Sequence, residues 1–126
     1  MSQVLRSELE ARVSELNKAW PKRDANTIQR EFFSPQAWIA GEGMPAAAHD
    51  AAGVVATLQH MFKQAPYVEV EVVSASAFGS AISSWLHWRI TDAGGTVQAT
   101  MRSLTLWERV DGRLVISGDS FSAGEL

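Results

Sequence analysis

Three residues in the C-terminal half have side chains suited to acid/base chemistry: Asp119, Arg102 and His87. An aspartate can transfer a proton, an arginine can orient a carboxylate or stabilise developing negative charge, and histidine has a reference pKa of about 6.5. The alternative for Asp119 and Arg102 is a buried ion pair that fixes the strands. The alternative for His87 is a satisfied or half-exposed strand residue. Their positions in the strands decide between these interpretations.

Two apolar runs, residues 96–110 and 113–122, are joined by Asp111-Gly112, a sequence that strongly favours a tight β-hairpin. With these two loop residues, the expected cross-strand pairs are Val110 with Arg113, Leu106 with Ser117, Leu104 with Asp119, and Arg102 with Phe121. Arg102 and Asp119 then share one face of the sheet. If the loop between Thr91 and Thr96 has an even number of residues, Trp85 and His87 of the preceding strand lie on that face as well.

If helices cover this face, Asp119, Arg102 and His87 meet in a concavity that would bind a small molecule. The expected ligand-contacting residues are Trp20, Trp38, Trp85, Leu104, Ser117 and Phe121. The opposite face collects further apolar residues, among them Trp88, Met101, Trp107 and Ile116. A sheet that is apolar on both sides needs a second cover, which predicts a homodimer through these four residues.

The elements that must position these residues follow from periodicity and capping. Apolar residues at three- and four-residue spacing predict a helix over residues 3–19 with Ser2 as a possible cap, and Asp24 and Asp50 are expected to cap two more, to about residues 33 and 64. A short strand is expected at residues 37–40. From Tyr67 the period changes to two, which predicts long antiparallel strands. The order predicts an α+β fold with the helices on one face of a curved sheet.

Composition limits the function classes. The chain has 126 residues, 46% of them hydrophobic and 20% charged, which is typical of a single globular domain spanning residues 1–126. A net charge of −3 does not favour a nucleic acid or an anionic membrane as partner. Without cysteine there is no disulfide or thiol nucleophile, and three dispersed histidines predict no metal site; no cofactor is expected. The lack of a signal-like or membrane-spanning apolar run makes a cytoplasmic location the expectation.

Three segments together resemble a known superfamily. They are the helix end at residues 16–20 followed by Asp24, the Phe32-Phe33-Ser34 approach to the first strand, and the C-terminal stretch 104–122. In their order and spacing, these segments resemble the pattern of a cone-shaped, cystatin-like superfamily. This superfamily includes nuclear transport factor two, ketosteroid isomerase, scytalone dehydratase and the SnoaL-like polyketide cyclases. The ending most resembles the SnoaL-like branch, with Leu114 in place of the usual tryptophan.

The resemblance implies a curved antiparallel sheet wrapped around three N-terminal helices. The fold hosts isomerases, dehydratases, hydrolases, cyclases and non-catalytic binding domains, so it does not name an activity. The positions that resemble the isomerases' functional residues hold Ala40, Leu16 and Leu104, and that machinery is absent. Asp119 matches the last-strand aspartate of SnoaL-like cyclases. Two hypotheses follow: an acid/base enzyme acting on a hydrophobic ligand, or a non-catalytic module that binds a ligand or dimerises.

Overall fold

The structure, a computed structural model, describes residues 3–126, so the predicted Ser2 cap lies outside the described residues. The elements in chain order are α1 (Gln3–Ala19), a short 3-10 helix (Trp20–Lys22), α2 (Ala25–Phe32), β1 (Phe33–Gly41), α3 (Ala51–Gln64), β2 (Tyr67–Phe78), β3 (Ala81–Thr91), β4 (Val97–Val110) and β5 (Arg113–Ala123). None of the described helices is both long and apolar enough to cross a membrane.

The helices begin where the sequence predicts. The Asp24 side chain accepts a hydrogen bond from the Thr27 amide at 3.1 Å, and Asp50 accepts one from the Gly53 amide at 2.6 Å. Both bonds satisfy backbone groups that the first turn of a helix leaves without a partner. The buried residues of α1 recur at helical spacing and form its core-facing side: Leu5, Leu9, Val13 and Leu16.

The five strands form one sheet in the order β1-β5-β4-β3-β2. The β2–β3, β3–β4 and β4–β5 pairs are antiparallel, which confirms the predicted α+β fold with three helices and a curved sheet. One pair differs from the expectation of a wholly antiparallel sheet, because β1 runs parallel to β5. The long connection through α3, β2, β3 and β4 permits this parallel pairing.

The hairpin turn itself has the predicted form. Asp111 and Gly112 have φ of 53° and 77°, the left-handed values that a two-residue type I′ turn requires, and Val110 pairs with Arg113. Beyond Trp107 and Ile116, however, the register shifts by one residue. Ser117 is the extra residue of a β-bulge, which places two residues of one strand opposite one of its partner.

Because of this bulge, the predicted pairs beyond it are wrong. Leu106 pairs with Gly118, Leu104 with Ser120, Thr105 with Asp119, and Arg102 with Ser122. Side chains alternate between the two faces along a strand. The extra residue therefore places every β5 side chain beyond it on the face opposite the predicted one, relative to β4. Asp119 and Arg102 therefore lie on opposite faces of the sheet, and the predicted pair does not form.

The two faces are also exchanged relative to the prediction. The covered face carries Trp88, Met101, Trp107 and Ile116, which we expected on the outside: Trp107 and Ile116 are buried in the core, and the Trp88 ring lies 5.5 Å from that of Trp20. The outer face carries Trp85, His87, Arg102 and Leu104, which we expected inside. Trp85 and His87 nevertheless share a face with Arg102, as predicted, and His87 pairs with Arg102 in the β3–β4 ladder.

Two polar side chains attach α1 to the rest of the fold. The buried Arg12 donates to the backbone oxygens of Leu114 at 2.9 Å and Glu31 at 2.5 Å, and so connects α1 with β5 and α2. Asn17 makes two hydrogen bonds, at 2.8 and 2.9 Å, with the backbone of Val70 in the edge strand β2. These bonds satisfy polar groups that packing would otherwise leave without partners.

Trp38 lies on the outer face, not in the cavity as predicted. Its indole packs directly over Gly118, where a Cβ atom would collide with the ring. Trp38 also pairs with Gly118 in the β1–β5 ladder. Glycine at this position therefore permits a close approach between an aromatic ring and the strand backbone.

Gly118→Ala is expected to lower the free energy of unfolding by about 1–3 kcal/mol, because the new methyl group must displace the Trp38 indole. Urea unfolding followed by circular dichroism measures this change. Gly94→Ala is the control, since a Cβ there has only the Asp92 carboxylate oxygen in its neighbourhood, at 3.5 Å. Equal unfolding midpoints for both variants would contradict the packing described for Trp38.

Candidate functional site

Among the described residues, Asp119 is the one carboxylate that the fold places inside the curved sheet. Its side chain points towards the helices, as predicted, and its relative exposure is 7%. It lines the interior together with Trp20 from the end of α1 and Leu58 and Met61 from α3. The bulge at Ser117 is what brings Asp119 to the same face as Ile116.

Three side chains of the sheet form a hydrogen-bonded group with Asp119. The Thr105 hydroxyl donates to Asp119 Oδ1 at 2.7 Å. Ser103 Oγ lies 3.2 Å from Thr105 Oγ1 and accepts the indole N–H of Trp88 at 2.9 Å. Ser103 and Thr105 have no exposed surface, so the hydrogen bonds of this group are buried within the protein.

Burial raises the pKa of Asp119 to about 6, while hydrogen bonds from Thr105 and Ser103 oppose this rise. Desolvation disfavours the charged form of a carboxyl group, and hydrogen bonds to the charged form favour it. The guanidinium of Arg102, which we predicted as its partner, lies on the other side of the sheet. The result is a carboxyl group that gains and loses its proton close to neutral pH.

Two small cavities adjoin Asp119, each with a volume of about 20 Å³. The first also contacts Ala65, Val68, Ile90, Met101 and Phe121, and the second contacts Leu16, Phe33, Ile39, Leu58, Leu86, Thr105 and Ile116. Such a volume is enough for about one water molecule. The described walls are otherwise largely apolar, so Asp119 provides the one ionisable group of the site.

Of the six ligand-contacting residues predicted from sequence, Trp20 and Phe121 line these cavities. Trp38, Trp85 and Leu104 lie on the outer face, and Ser117 is the partly exposed bulge residue. Sequence reasoning missed Ser103, Thr105 and Met61. The signal for the first two was present, because both are polar residues at alternating positions between Met101 and Trp107, on the same face of β4.

Arg102 and His87 are cross-strand neighbours on the outer face, away from Asp119. Arg102 is exposed and donates to Ser122 Oγ at 3.2 Å and to the Glu125 backbone oxygen at 3.3 Å. His87 Nδ1 lies 3.6 Å from Glu71 Oε1, and its buried Nε2 has no hydrogen-bond partner among the described residues. The predicted catalytic group of three is therefore not assembled at one site.

A wider open cleft of about 670 Å³ lies between α2, the start of β1 and the β4–β5 turn. Its charged residues, Arg30, Asp111 and Arg113, are exposed, so water and salt screen their fields. The smaller cavities beside Asp119 are the better candidate because their one ionisable group is desolvated. Within residues 3–126, no group of three or more histidine, aspartate or glutamate residues could hold a metal ion.

The comparison with protein families gives a match across most of the chain. A family model described as the SnoaL-like domain matches residues 13–116. The chain belongs to the SnoaL-like domain family. This agrees with the resemblance of the C-terminal stretch to the SnoaL-like branch. Among curated proteins, none matches this SnoaL-like domain.

Solved structures share the fold of this SnoaL-like domain at low sequence identity. Aln2 from a Streptomyces species has a TM-score of 0.78 at 14% identity, covering 98% of this chain and 93% of Aln2. A cystatin-like protein from Nostoc punctiforme also has a TM-score of 0.78, at 15% identity, covering 100% of this chain and 81% of that chain. A Catenulispora acidiphila protein in complex with S-DNPA has a TM-score of 0.75 at 16% identity, covering 97% of this chain and 95% of that chain.

The stability of this SnoaL-like domain is expected to depend on Asp119 between about pH 4 and pH 6. The folded-state pKa of about 6 exceeds the ordinary value of 3.8, so the folded protein binds the proton more tightly and loses stability as the pH rises through this window. The difference corresponds to roughly 3 kcal/mol. The Asp119→Asn side chain stays neutral at every pH. Between pH 4 and pH 7, the unfolding free energy of this variant should therefore increase relative to that of the wild type by about this amount.

Urea unfolding at a series of pH values measures this effect. Asp111→Asn is the matched control, because it makes the same change at an exposed turn position and should follow the wild-type curve. A wild-type and an Asp119→Asn curve that remain parallel from pH 4 to pH 7 would show that burial does not raise the pKa of Asp119.

Proposed function

We propose that this protein binds a small hydrophobic molecule in the cavities beside Asp119 and transfers a proton to or from it. The observation that carries the proposal is a buried carboxyl group with a pKa of about 6 among largely apolar walls. A general acid or base is most effective when its pKa lies near the working pH. Membership of the SnoaL-like family and a structural neighbour that holds a small molecule support a ligand-binding role.

The proposed chemistry assigns Asp119 both directions of proton transfer. As the carboxylate, it removes a proton from an acidic C–H or O–H group of the ligand; as the carboxylic acid, it returns that proton to another atom of the same molecule. Thr105 and Ser103 hold the carboxyl group in place through their hydroxyls, and Trp88 holds Ser103. Arg102 and His87 take no part, since they lie on the other face of the sheet.

A non-catalytic ligand-binding module is the second candidate, and one observation favours it. The described cavity walls contain a single ionisable group, and its Oδ1 atom is already hydrogen-bonded to Thr105. Stabilising a charged transition state usually requires further donors aimed at the developing charge. The two candidates differ in whether a bound molecule exchanges protons, which is measurable with a model compound.

Deuterium exchange at the α-carbon of 2-tetralone tests the catalytic proposal. This flat, neutral ketone has acidic C–H groups, and its exchange in heavy water is followed by NMR. The wild type is expected to exceed the buffer rate, and Asp119→Asn to lose about 10²–10⁴-fold of that catalysed rate. The catalysed rate should rise with pH through about 6 as Asp119 ionises.

Asp111→Asn serves again as the control and should retain the wild-type rate. Exchange that is equally fast in the wild type and Asp119→Asn would reject Asp119 as the base. Binding of 2-tetralone without exchange above the buffer rate would instead select the non-catalytic module.

We also propose that the protein forms a homodimer, now through the outer face of the sheet. Trp85 is 39% exposed, and Trp38, Leu104 and Leu106 on the same face are partly exposed. None of the described helices covers this side, where Leu104 of β4 pairs with Trp85 of β3 and Trp38 lies farther across the sheet on β1. A second copy of the chain would remove them from water.

Trp85→Glu should produce a monomer, because a carboxylate would have to be desolvated in the interface. Sedimentation equilibrium measures the mass. Phe78→Glu is the matched control: Phe78 is 77% exposed at the β2–β3 turn, and the substitution should leave the dimer intact. A monomeric wild type at micromolar concentration would reject this interface.

A further inference from the structure

The two cavities beside Asp119 are distinct but have four lining residues in common, which we call the shared wall. Trp20, Met61, Trp88 and Asp119 contact both of them. The remaining walls differ in burial. The residues found only around the first cavity include the partly exposed Val68, Ile90, Met101 and Phe121, whereas those found only around the second are all buried. We call the first the outer chamber and the second the inner chamber.

Three of the four shared residues are fixed by hydrogen bonds. The Trp20 indole donates to the Ala65 backbone oxygen at 2.9 Å, and its ring packs against Phe62 at 4.8 Å. The Trp88 indole is held by Ser103, and the Asp119 carboxylate by Thr105. The Trp20 and Asp119 bonds are buried and the Trp88 bond is partly buried, and breaking a buried bond without a replacement is costly.

Met61 is the exception. It has no side-chain hydrogen bond among the described residues, it is partly exposed on α3, and it packs against the edge of the core. A methionine side chain has three rotatable bonds and a polarisable thioether, and it adapts to different shapes at little cost. Of the shared wall, Met61 is therefore the side chain that can move while the hydrogen-bonded frame stays in place.

We propose that Met61 is a movable partition, and that its displacement joins the two chambers into one ligand site that extends past Asp119. This inference rests on the proposed ligand-binding function and deepens it. Each chamber alone holds about one water molecule, so neither accepts a ring without this movement. The size of the residue at position 61 then determines how large a ligand the protein accepts.

The walls also define the class of ligand. Among the described residues they include no cationic side chain, and a charged ligand would lose its hydration beside Asp119 without an opposite charge to replace it. The aromatic rings of Trp20, Trp88 and Phe121 offer edges and faces to a flat molecule. A neutral, flat molecule with one hydroxyl or carbonyl group to direct at Asp119 is therefore the fitting probe of this site.

Binding of 2-naphthol to Met61→Ala tests the partition. Because the ligand no longer has to displace a packed side chain, the variant should bind 2-naphthol at least about tenfold more tightly than the wild type in isothermal titration calorimetry. Met44→Ala is the matched control, since Met44 also packs against the core but lines neither chamber, and its affinity should be unchanged. If Met61→Ala does not fold, Met61→Val is used instead, because it also removes the flexible thioether side chain.

NMR of the wild type and the variant locates the bound ring. The methyl groups of Met101 in the outer chamber and Ile39 in the inner chamber should both shift when 2-naphthol binds. Equal affinities for wild type and variant, or shifts confined to Met101 in both, would overturn the partition. These results do not depend on proton transfer, so failure of the ketone exchange would leave them interpretable.

Discussion

A single extra residue in β5, Ser117, determines which side chains the curved sheet encloses. Before the bulge, alternation directs Leu114 and Ile116 towards the helices. Without the extra residue, the same alternation would turn Asp119 and Phe121 outward, into solvent. The bulge resets the pattern, so that a carboxylate and an aromatic ring join the covered face. The site beside Asp119 therefore depends on a local irregularity of one strand.

Two hydroxyls accompany the enclosed carboxylate and offset part of the free-energy cost of burying its charge. Thr105 and Ser103 lower the pKa of Asp119, but burial outweighs them. A salt bridge would have had the opposite result, since a neighbouring cation would keep the carboxylate ionised far below neutral pH. A solvation shell made of hydroxyls instead leaves the proton exchangeable near pH 6, which is the property that acid/base chemistry requires.

Much of the fold follows from local chemistry in the sequence. Asp24 and Asp50 mark helix starts, Asp111-Gly112 specifies its turn, and the two-residue period from Tyr67 identifies the strands. Each of these signals acts over a few residues, where capping and turn geometry dominate. The orientation of Asp119 was also predicted, although the argument for it used a register that the structure corrects.

The site could not be predicted fully, because the bulge depends on packing between distant strands. When the register of a hairpin is extended from its turn, the pairing near the turn does not show whether one strand contains an extra residue farther along. Gly118 was the available hint: an isolated glycine inside a strand often marks a bulge or a close approach, and here it adjoins both Ser117 and the Trp38 ring. The error moved Arg102, His87, Trp85 and Leu104 to the wrong side of the sheet.

The central claim is that Asp119 is an enclosed acid/base group that titrates near neutral pH. The most direct measurement is an NMR titration of its side-chain carboxyl carbon in protein labelled with carbon-13 at the aspartates, with the resonance assigned by its loss in Asp119→Asn. The structure predicts a midpoint at about pH 6. A midpoint near the ordinary value of 3.8 would contradict the account, because it would mean that the carboxylate is not desolvated.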